Sequence, residues 1–348
     1  MQPVIHRPRK AALAVAATLA VACATALWLW QANRQISTRL TQPERLLCPL
    51  PQQPVDHKHP GMVWLPGGEF TFGDTVYPEE QPPRKQTVAG FWMDRTEVSN
   101  DQFAQFVRAT GYVTVAERAV DAALHPALPP EMRQPGAVVF VMPTALSGRG
   151  DLGQWWRYVA GAQWRHPGGP GTSIDGRGTF PVVAVTHADA LAYARWKRTS
   201  LPSEVQWEWA AHGAQTGAAP QAHQQPKAAN TWQGLFPVVN SGDDGFVGLA
   251  PVGCYEPNAV GLFDMIGNVW ELTADRWTSD HNTEAAPDGT PAPFKRPASS
   301  PQRVIKGGSF LCAPNYCMRY RAGARQAQDE DLAASHLGFR TILLAAPP

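Results

Sequence analysis

Net charge is the first thing this chain has little of. Its 30 Lys and Arg residues face 29 Asp and Glu, leaving a formal +1 at pH 7, and that balance gives no electrostatic case for a nucleic-acid partner. A repeated glycine-rich phosphate motif after a strand is also missing, so a nucleotide cofactor has no support in the sequence. Long regular patterning is scarce as well, because 30 glycines and 33 prolines punctuate the 348 residues. Between and after three helical stretches the chain dissolves into short apolar pieces separated by Gly, Pro, Asn and Asp. That pattern predicts an α+β domain with low regular secondary structure rather than a parallel-sheet enzyme. Length alone allows one large domain or two ordinary ones. Cysteine is sparse, confined to Cys23, Cys48, Cys254, Cys312 and Cys317. Tryptophan, by contrast, is frequent at 13 residues, which suits aromatic clusters and a rigid, amphipathic surface for an extended peptide.

One long apolar run exists, from Ala11 to Trp30, preceded by Arg7, Arg9 and Lys10. It is long enough to cross a hydrocarbon core as a helix, with the basic side in the cytoplasm. Residues 1–30 are therefore expected to be a signal anchor, and the Trp28/Trp30 pair suits the membrane interface. A cleaved signal peptide, with Ala-x-Ala options between Ala22 and Ala26, and lipidation at Cys23 are the competing fates. Residues 31–60, with Pro43, Pro49, Pro51, Pro54 and Pro60, read as a linker, and residues 61–346 as the globular domain. The expected localisation is membrane-anchored with an extracytoplasmic domain, or secreted if the first segment is cleaved.

Three helices are predicted. The first follows Ser99 or Asn100, carries Phe103, Phe106 and Val107 on one face, and stops at Gly111. A second starts at Thr186 with Asp189 three residues on and turns Leu191 and Ala194 inward. The third opens with Ser203 and Gln206 in capping-box spacing, displays Val205 and Trp209 one turn apart, and ends near Gly213. Residues 113–180 and 277–302 are rich in Pro and Gly and read as long surface loops, a length that fits lining a peptide groove.

Chemistry concentrates in Gly307-Gly308-Ser309-Phe310-Leu311-Cys312-Ala313-Pro314-Asn315-Tyr316-Cys317-Met318-Arg319-Tyr320-Arg321. Fully extended, five residues would part the two sulfurs by roughly 16 Å at about 3.3 Å per residue, so a cooperating pair needs a reversal. Pro314-Asn315 supplies one, since Pro presets φ and Asn tolerates turn conformations. A converged dithiolate suits Cu(I), which prefers soft ligands; a structural or redox disulfide needs the same convergence. Elsewhere, Asp243-Asp244-Gly245-Phe246 with Asn230, and Asp264 with Glu271, put hard oxygen ligands into loops, the donor type calcium uses. Cys48 and Cys254 are left as a possible disulfide, although Cys48 sits in the linker and nothing fixes their distance.

The run Arg303 to Arg325, followed by His336-Leu337-Gly338-Phe339-Arg340, closely resembles the signature of the formylglycine-generating enzymes, or sulfatase-modifying factors. So do Met62-Val63-Trp64-Leu65-Pro66-Gly67-Gly68-Glu69-Phe70, Trp164-Arg165-His166-Pro167, Leu201-Pro202-Ser203-Glu204, Asn230-Thr231-Trp232-Gln233-Gly234 and Gly267-Asn268-Val269-Trp270-Glu271. The similarity covers roughly residues 60 to 345. It implies a single irregular, C-type-lectin-like α+β domain acting as an oxidase. The implied reaction converts the cysteine of a Cys-x-Pro-x-Arg motif, in an unfolded sulfatase polypeptide, to Cα-formylglycine with O2 and a thiol reductant.

Residue by residue, the resemblance makes Cys312 and Cys317 the Cu(I) ligands and puts Ser309 close to an oxygen-binding pocket. It maps structural Ca2+ onto Asn230, Thr231, Asp244 and Phe246 at one site and onto Asp264, Gly267, Val269 and Glu271 at another. Tyr316, Arg319 and Arg321 are candidates for organising the pocket. Two departures stand out: Asp264 occupies a position often held by Asn, and Ala322 and Thr341 stand where the animal members carry disulfide cysteines. Alternatives on the same fold are a non-catalytic lectin-like binding module and a non-haem iron sulfoxide synthase; the first conflicts with retention of both cysteines, the second lacks the extra helical domain it needs.

Overall fold

Short apolar runs punctuated by Gly and Pro give short strands, and the computed structural model bears this out. It describes residue 48 and residues 58–120, 128–146, 152–215, 224–226, 228–281 and 301–344, all within one compact unit, Leu47–Pro348. The strands are β1 (Met62–Leu65), β2 (Gly68–Phe72), β3 (Arg84–Val88), β4 (Phe91–Asp94), β5 (Gly136–Phe140), β6 (Trp156–Ala160), β7 (Trp270–Arg276), β8 (Gln302–Lys306), β9 (Arg325–Asp329), β10 (Leu337–Gly338) and β11 (Ile342–Leu343). With them go three helices, α1 (Asn100–Thr110), α2 (His187–Lys197) and α3 (Glu204–Ala211). The strands form a four-stranded sheet in the order β10-β7-β8-β9, a three-stranded sheet β1-β4-β11, and the pairs β2-β3 and β5-β6. This is the irregular α+β architecture expected from the sequence.

All three helices begin where their caps predict. Gln102 N–H donates to Ser99 Oγ at 3.3 Å while Ser99 N–H donates to Gln102 Oε1 at 2.8 Å, so two otherwise orphaned donors are satisfied reciprocally. Ser203 and Gln206 repeat the exchange at 3.1 and 2.9 Å. Gly111 then ends α1 in the left-handed region at φ 66°, where a Cβ would be strained. In α2 the inward face differs from expectation: Ala190, Tyr193 and Ala194 are buried, whereas Leu191 is only half-buried. Tyr193 packs against Phe103, Phe106 and Phe339, and one large ring there fills the space that Leu191 was expected to take.

Residues 113–180 also depart from the loop reading. They contain the β5-β6 hairpin, in register from Gly136 opposite Ala160 to Phe140 opposite Trp156. A five-residue apolar run between prolines reads as loop in isolation, and it becomes a strand because a partner of equal length returns beside it. The loop reading of 277–302 falls mostly outside the described residues.

The membrane-anchored, extracytoplasmic or secreted placement is corrected. Residues 1–30 lie outside the described residues, and among the described residues no helix is long and apolar enough to cross a membrane. The longest, α1 and α2, have 11 residues each, or about 16 Å at 1.5 Å per residue, against a hydrocarbon core of about 30 Å. Cys48 and Cys254, whose pairing the sequence left open, form a disulfide with Cα atoms 5.0 Å apart.

Candidate active site

Loop 307–324 joins β8 to β9 and carries the cysteines. It leaves β8 through Gly307 and Gly308, both left-handed at φ 93° and 77°. A Cβ on Gly308 would stand 2.8 Å from the Arg319 carbonyl and 3.3 Å from Cys312 Sγ, so only glycine lets the strand exit pass this closely behind the thiol. Ser309 follows, fully buried; its carbonyl accepts the Cys312 N–H at 2.9 Å, its own N–H points at Cys312 Sγ at 3.4 Å, and its Oγ accepts from Leu311 N–H at 3.3 Å.

The reversal between the cysteines is one helical turn. Ala313 C=O accepts N–H bonds from both Tyr316 and Cys317 at 3.1 Å. The turn brings Cys312 Sγ to 2.7 Å from Cys317 Sγ, and both remain free thiols, farther apart than the about 2.05 Å of a disulfide. Cys312 is 1% and Cys317 8% exposed. Burial pushes the Cys312 thiol well above its ordinary range. Cys317 moves the other way: the hydrogen bond from Cys312 lowers it, overcoming burial, with help from the backbone and charge of Arg319. Of the two thiols, Cys317 is therefore the readier to ionise and Cys312 the one that holds its proton longer.

Beneath the loop, each of the basic side chains Lys306, Arg319, Arg321 and Arg325 meets an acid, buried in every case but Glu79. Lys306 Nζ lies 2.9 Å from Glu208 and 3.6 Å from Glu204 of α3, and Arg325 clasps Glu204 with bonds of 2.7 and 2.9 Å. Arg321 binds Glu80 at 2.7 and 2.9 Å and Asp74 in addition. Arg319 reaches Glu79 at 3.2 Å and lies over the Tyr77 ring, 4.5 Å from its centroid. Burial would raise Glu204, yet the charges of Arg325 and Lys306 win and bring it down to about 2. Arg321 thus anchors the loop from below. Tyr316, by contrast, is 41% exposed at the rim, stacked on Phe236 at 4.0 Å and accepting a bond from Trp156 Nε1 at 3.2 Å.

The hard-oxygen residues form two groups. In the first, Asp244 accepts N–H bonds from Thr231 at 2.9 Å and Phe246 at 3.2 Å, and Gln233 Nε2 adds a third at 3.3 Å. Asn230 sits beside them, donating to Gly248 C=O and Asn268 Oδ1 at 2.9 and 3.0 Å. Burial holds Asp244 above the usual carboxylate range despite these bonds.

The second group gathers around Asp264, whose Oδ2 accepts Gly253 N–H at 2.6 Å while its Oδ1 is buried and unpartnered. Burial raises Asp264 to about 6. Gly267 at φ 85° packs so closely on the Asn230 carbonyl that a Cβ would collide with it, and Val269 is fully buried. Glu271 differs from expectation, because both its oxygens are taken by Arg340 at 2.6 and 2.7 Å and Trp207 Nε1 at 2.8 Å. Glu97, which the sequence did not single out, belongs here. It is fully buried, Asn268 donates to its Oε1 at 3.1 Å, its Oε2 has no partner, and burial followed by the charge of Asp264 raises it well above its range. In the sequence it is one acid ahead of a helix cap, a place where acids are ordinary. Among the described residues, no set of three or more His, Cys, Asp and Glu side chains converges to hold a metal, so any metal here needs the thiol pair or backbone oxygens.

A family description, the sulfatase-modifying factor enzyme 1-like domain, matches residues 49–345. A formylglycine-generating enzyme of Mycobacterium tuberculosis is 46% identical over 289 residues, spanning 81% of this chain and 97% of the relative. One from Mus musculus is 43% identical over 289 residues, with 80% and 74% covered. Among solved structures, PvdO from Pseudomonas aeruginosa superposes with a TM-score of 0.51 at 25% identity, over 81% of this chain and 93% of that one. Those matches run through the strands, the anchored loop and the thiol pair described above, and the chain belongs to the sulfatase-modifying factor, or formylglycine-generating enzyme, family.

Proposed function

We propose that this protein converts the cysteine of a sulfatase Cys-x-Pro-x-Arg motif to Cα-formylglycine, acting on the unfolded polypeptide with Cu(I), O2 and a thiol reductant. The observation that carries the reading is the pair of buried free thiols, Cys312 and Cys317, with sulfurs 2.7 Å apart. Two soft sulfur donors this close suit Cu(I), and a hard cation would be poorly served there. When bound, copper supplies the one-electron chemistry toward O2 that amino-acid side chains lack.

What the chain itself does is more local. Cys317 is the thiol that ionises more readily, Cys312 would give up its proton on metal binding, and Ser309 keeps the Cys312 sulfur oriented through its backbone. Phe310, Leu311 and Ala313, all buried, keep bulk water from the thiols on their inner side. Exposed Tyr316 and half-buried Trp156 offer an aromatic rim for an extended peptide.

Calcium fits the second role. Asp244, with Asn230 and with the backbone oxygens of Thr231 and Phe246, would hold one ion. Asp264 would hold another with the carbonyls of Gly267 and Val269, with Glu97 against it; the carboxylate of Glu271 stays with Arg340. The unpartnered oxygens of Asp264 and Glu97 and the raised carboxyls favour a cation.

The test is turnover of a Cys-x-Pro-x-Arg peptide followed by mass, alongside Cu(I) stoichiometry of the purified chain. Cys312→Ser and Cys317→Ser should each lose Cu(I) binding and fall to background turnover while keeping their fold. Full activity in either variant would falsify the paired-thiol assignment.

A further inference from the structure

The turn that brings the cysteines together has an outward apex, Pro314-Asn315-Tyr316, and all three residues are exposed. The turn must hold its shape for the sulfurs to converge. Asn315 supplies a restraint from outside. Phe236 N–H donates to Asn315 Oδ1 at 3.2 Å, and Asn315 Nδ2 donates back to Phe236 C=O at 2.9 Å. One carboxamide thereby pairs with a backbone donor and acceptor of a residue 79 positions away, as a strand partner would. The same neighbouring segment is fastened to the other cysteine, because Trp232 N–H donates to Cys312 C=O at 3.0 Å. Between these two attachments, Phe236 stacks on Tyr316 with rings 4.0 Å apart and 8° from parallel.

We infer that Asn315 is a positioning residue, whose two-bond clamp on Phe236 locks the Cys312–Cys317 turn to segment 232–236 and sets the distance between the sulfurs. The inference rests on the proposed function only for what the converged thiols are for; their convergence is a separate question. Both clamp bonds are near the surface, where water competes, so each contributes modestly. Losing them costs pre-organisation of the thiols rather than the fold. The expected size is about tenfold in affinity for anything that needs both sulfurs at once.

The probe is arsenite, which forms two As–S bonds with two converged thiols and releases two waters, and whose binding needs neither copper nor turnover. Full-length protein with its Cys48–Cys254 disulfide intact is titrated, and thermal unfolding is followed in parallel. Wild type should take one arsenite across Cys312 and Cys317. Asn315→Ala should bind it about tenfold more weakly with an unfolding midpoint within a few degrees of wild type. Asn315→Asp keeps the shape and the acceptor but loses the donor to Phe236, and should also weaken binding severalfold. Pro314→Ala, which frees φ in the turn but removes no side-chain hydrogen bond, should weaken binding less than Asn315→Ala. Wild-type affinity in both Asn315 variants would overturn the inference, and so would a loss that appears only with a large drop in unfolding midpoint. Wild type failing to bridge arsenite would overturn it as well. A wild type that binds arsenite but refuses Cu(I) would sink the copper reading and leave Asn315 in its role.

Discussion

Two buried charged regions lie behind the same surface and solve the burial of charge in opposite ways. Under the cysteine loop, Lys306, Arg321 and Arg325 meet Glu204, Glu208, Asp74 and Glu80 in pairs and clasps. Around Asp264, three carboxylates, those of Glu97, Asp264 and Glu271, face one fully buried guanidinium, Arg340, and that cation is spent on Glu271. In the first region the protein neutralises itself, so its ion pairs are a fixed foundation. In the second it is short of positive charge and leaves two oxygens unpartnered, and its raised carboxyls call for a proton or, on the calcium reading, for a cation from outside. Desolvation makes both costly, and what distinguishes them is who supplies the counter-charge.

The contrast is broken most severely by making the first region resemble the second. Arg321→Met removes the cation that Asp74 and Glu80 share and leaves two buried acids uncompensated, a change that costs about 3–5 kcal/mol. Chemical denaturation should read that loss as a lower midpoint with an unchanged slope. A shift within error would mean that Arg321 is not holding the loop down.

Supplying or withholding the external charge sharpens the contrast next. A calcium-selective chelator should lower the unfolding temperature of the wild type, since an ion present at about a hundred times its dissociation constant adds about 2.7 kcal/mol. The two regions should also tilt oppositely with pH. Asp264 is raised to about 6 in the folded chain. Its stabilising protonated form is therefore fully present below the unfolded value of about 3.9 and is lost as pH rises through about 6. Glu204 is depressed to about 2, so its contribution is complete above the unfolded value of about 4.3 and disappears as pH falls toward 2. Calcium should accordingly raise the unfolding temperature more at pH 7.5 than at pH 5. Equal increments at both pH values would sink the idea that this pocket is what the ion neutralises.

In the first region only the basic half could be read locally. Arg319, Arg321 and Arg325 recur around the cysteines, and Ser203-Glu204 announces a helix start, but the acids they meet lie 121 to 247 positions away. No periodicity encodes such pairs. Helix caps were legible because both partners sit within three residues, and the Pro314-Asn315 reversal was legible for the same reason. The Cys48–Cys254 disulfide, whose ends are 206 positions apart, and the β5-β6 hairpin were not, because each depends on where another segment returns. Glu97 is the instructive miss at the site. Its neighbours in sequence make it an ordinary acid before a cap, and only the fold sets it against Asp264.

Glu97 also provides the smallest and most selective test. Its Oε1 already accepts from Asn268 Nδ2 at 3.1 Å, while its Oε2 and Asp264 Oδ1 are both buried without partners. Glu97→Gln keeps the shape, preserves the acceptor toward Asn268, removes a group that can ionise against a cation and offers an amide donor to the neighbouring carboxylate. In chelator the variant should be more stable than wild type by about 1 kcal/mol, the worth of one satisfied hydrogen bond. With calcium present the order should reverse or vanish, because the charge that made the pocket attractive to the cation has been reduced. That crossover separates a cation pocket from a merely strained one: relief of strain alone would stabilise the variant equally with and without calcium. A variant less stable than wild type in chelator would show that Glu97 is compensated within the protein, and the contrast between the two regions would fail.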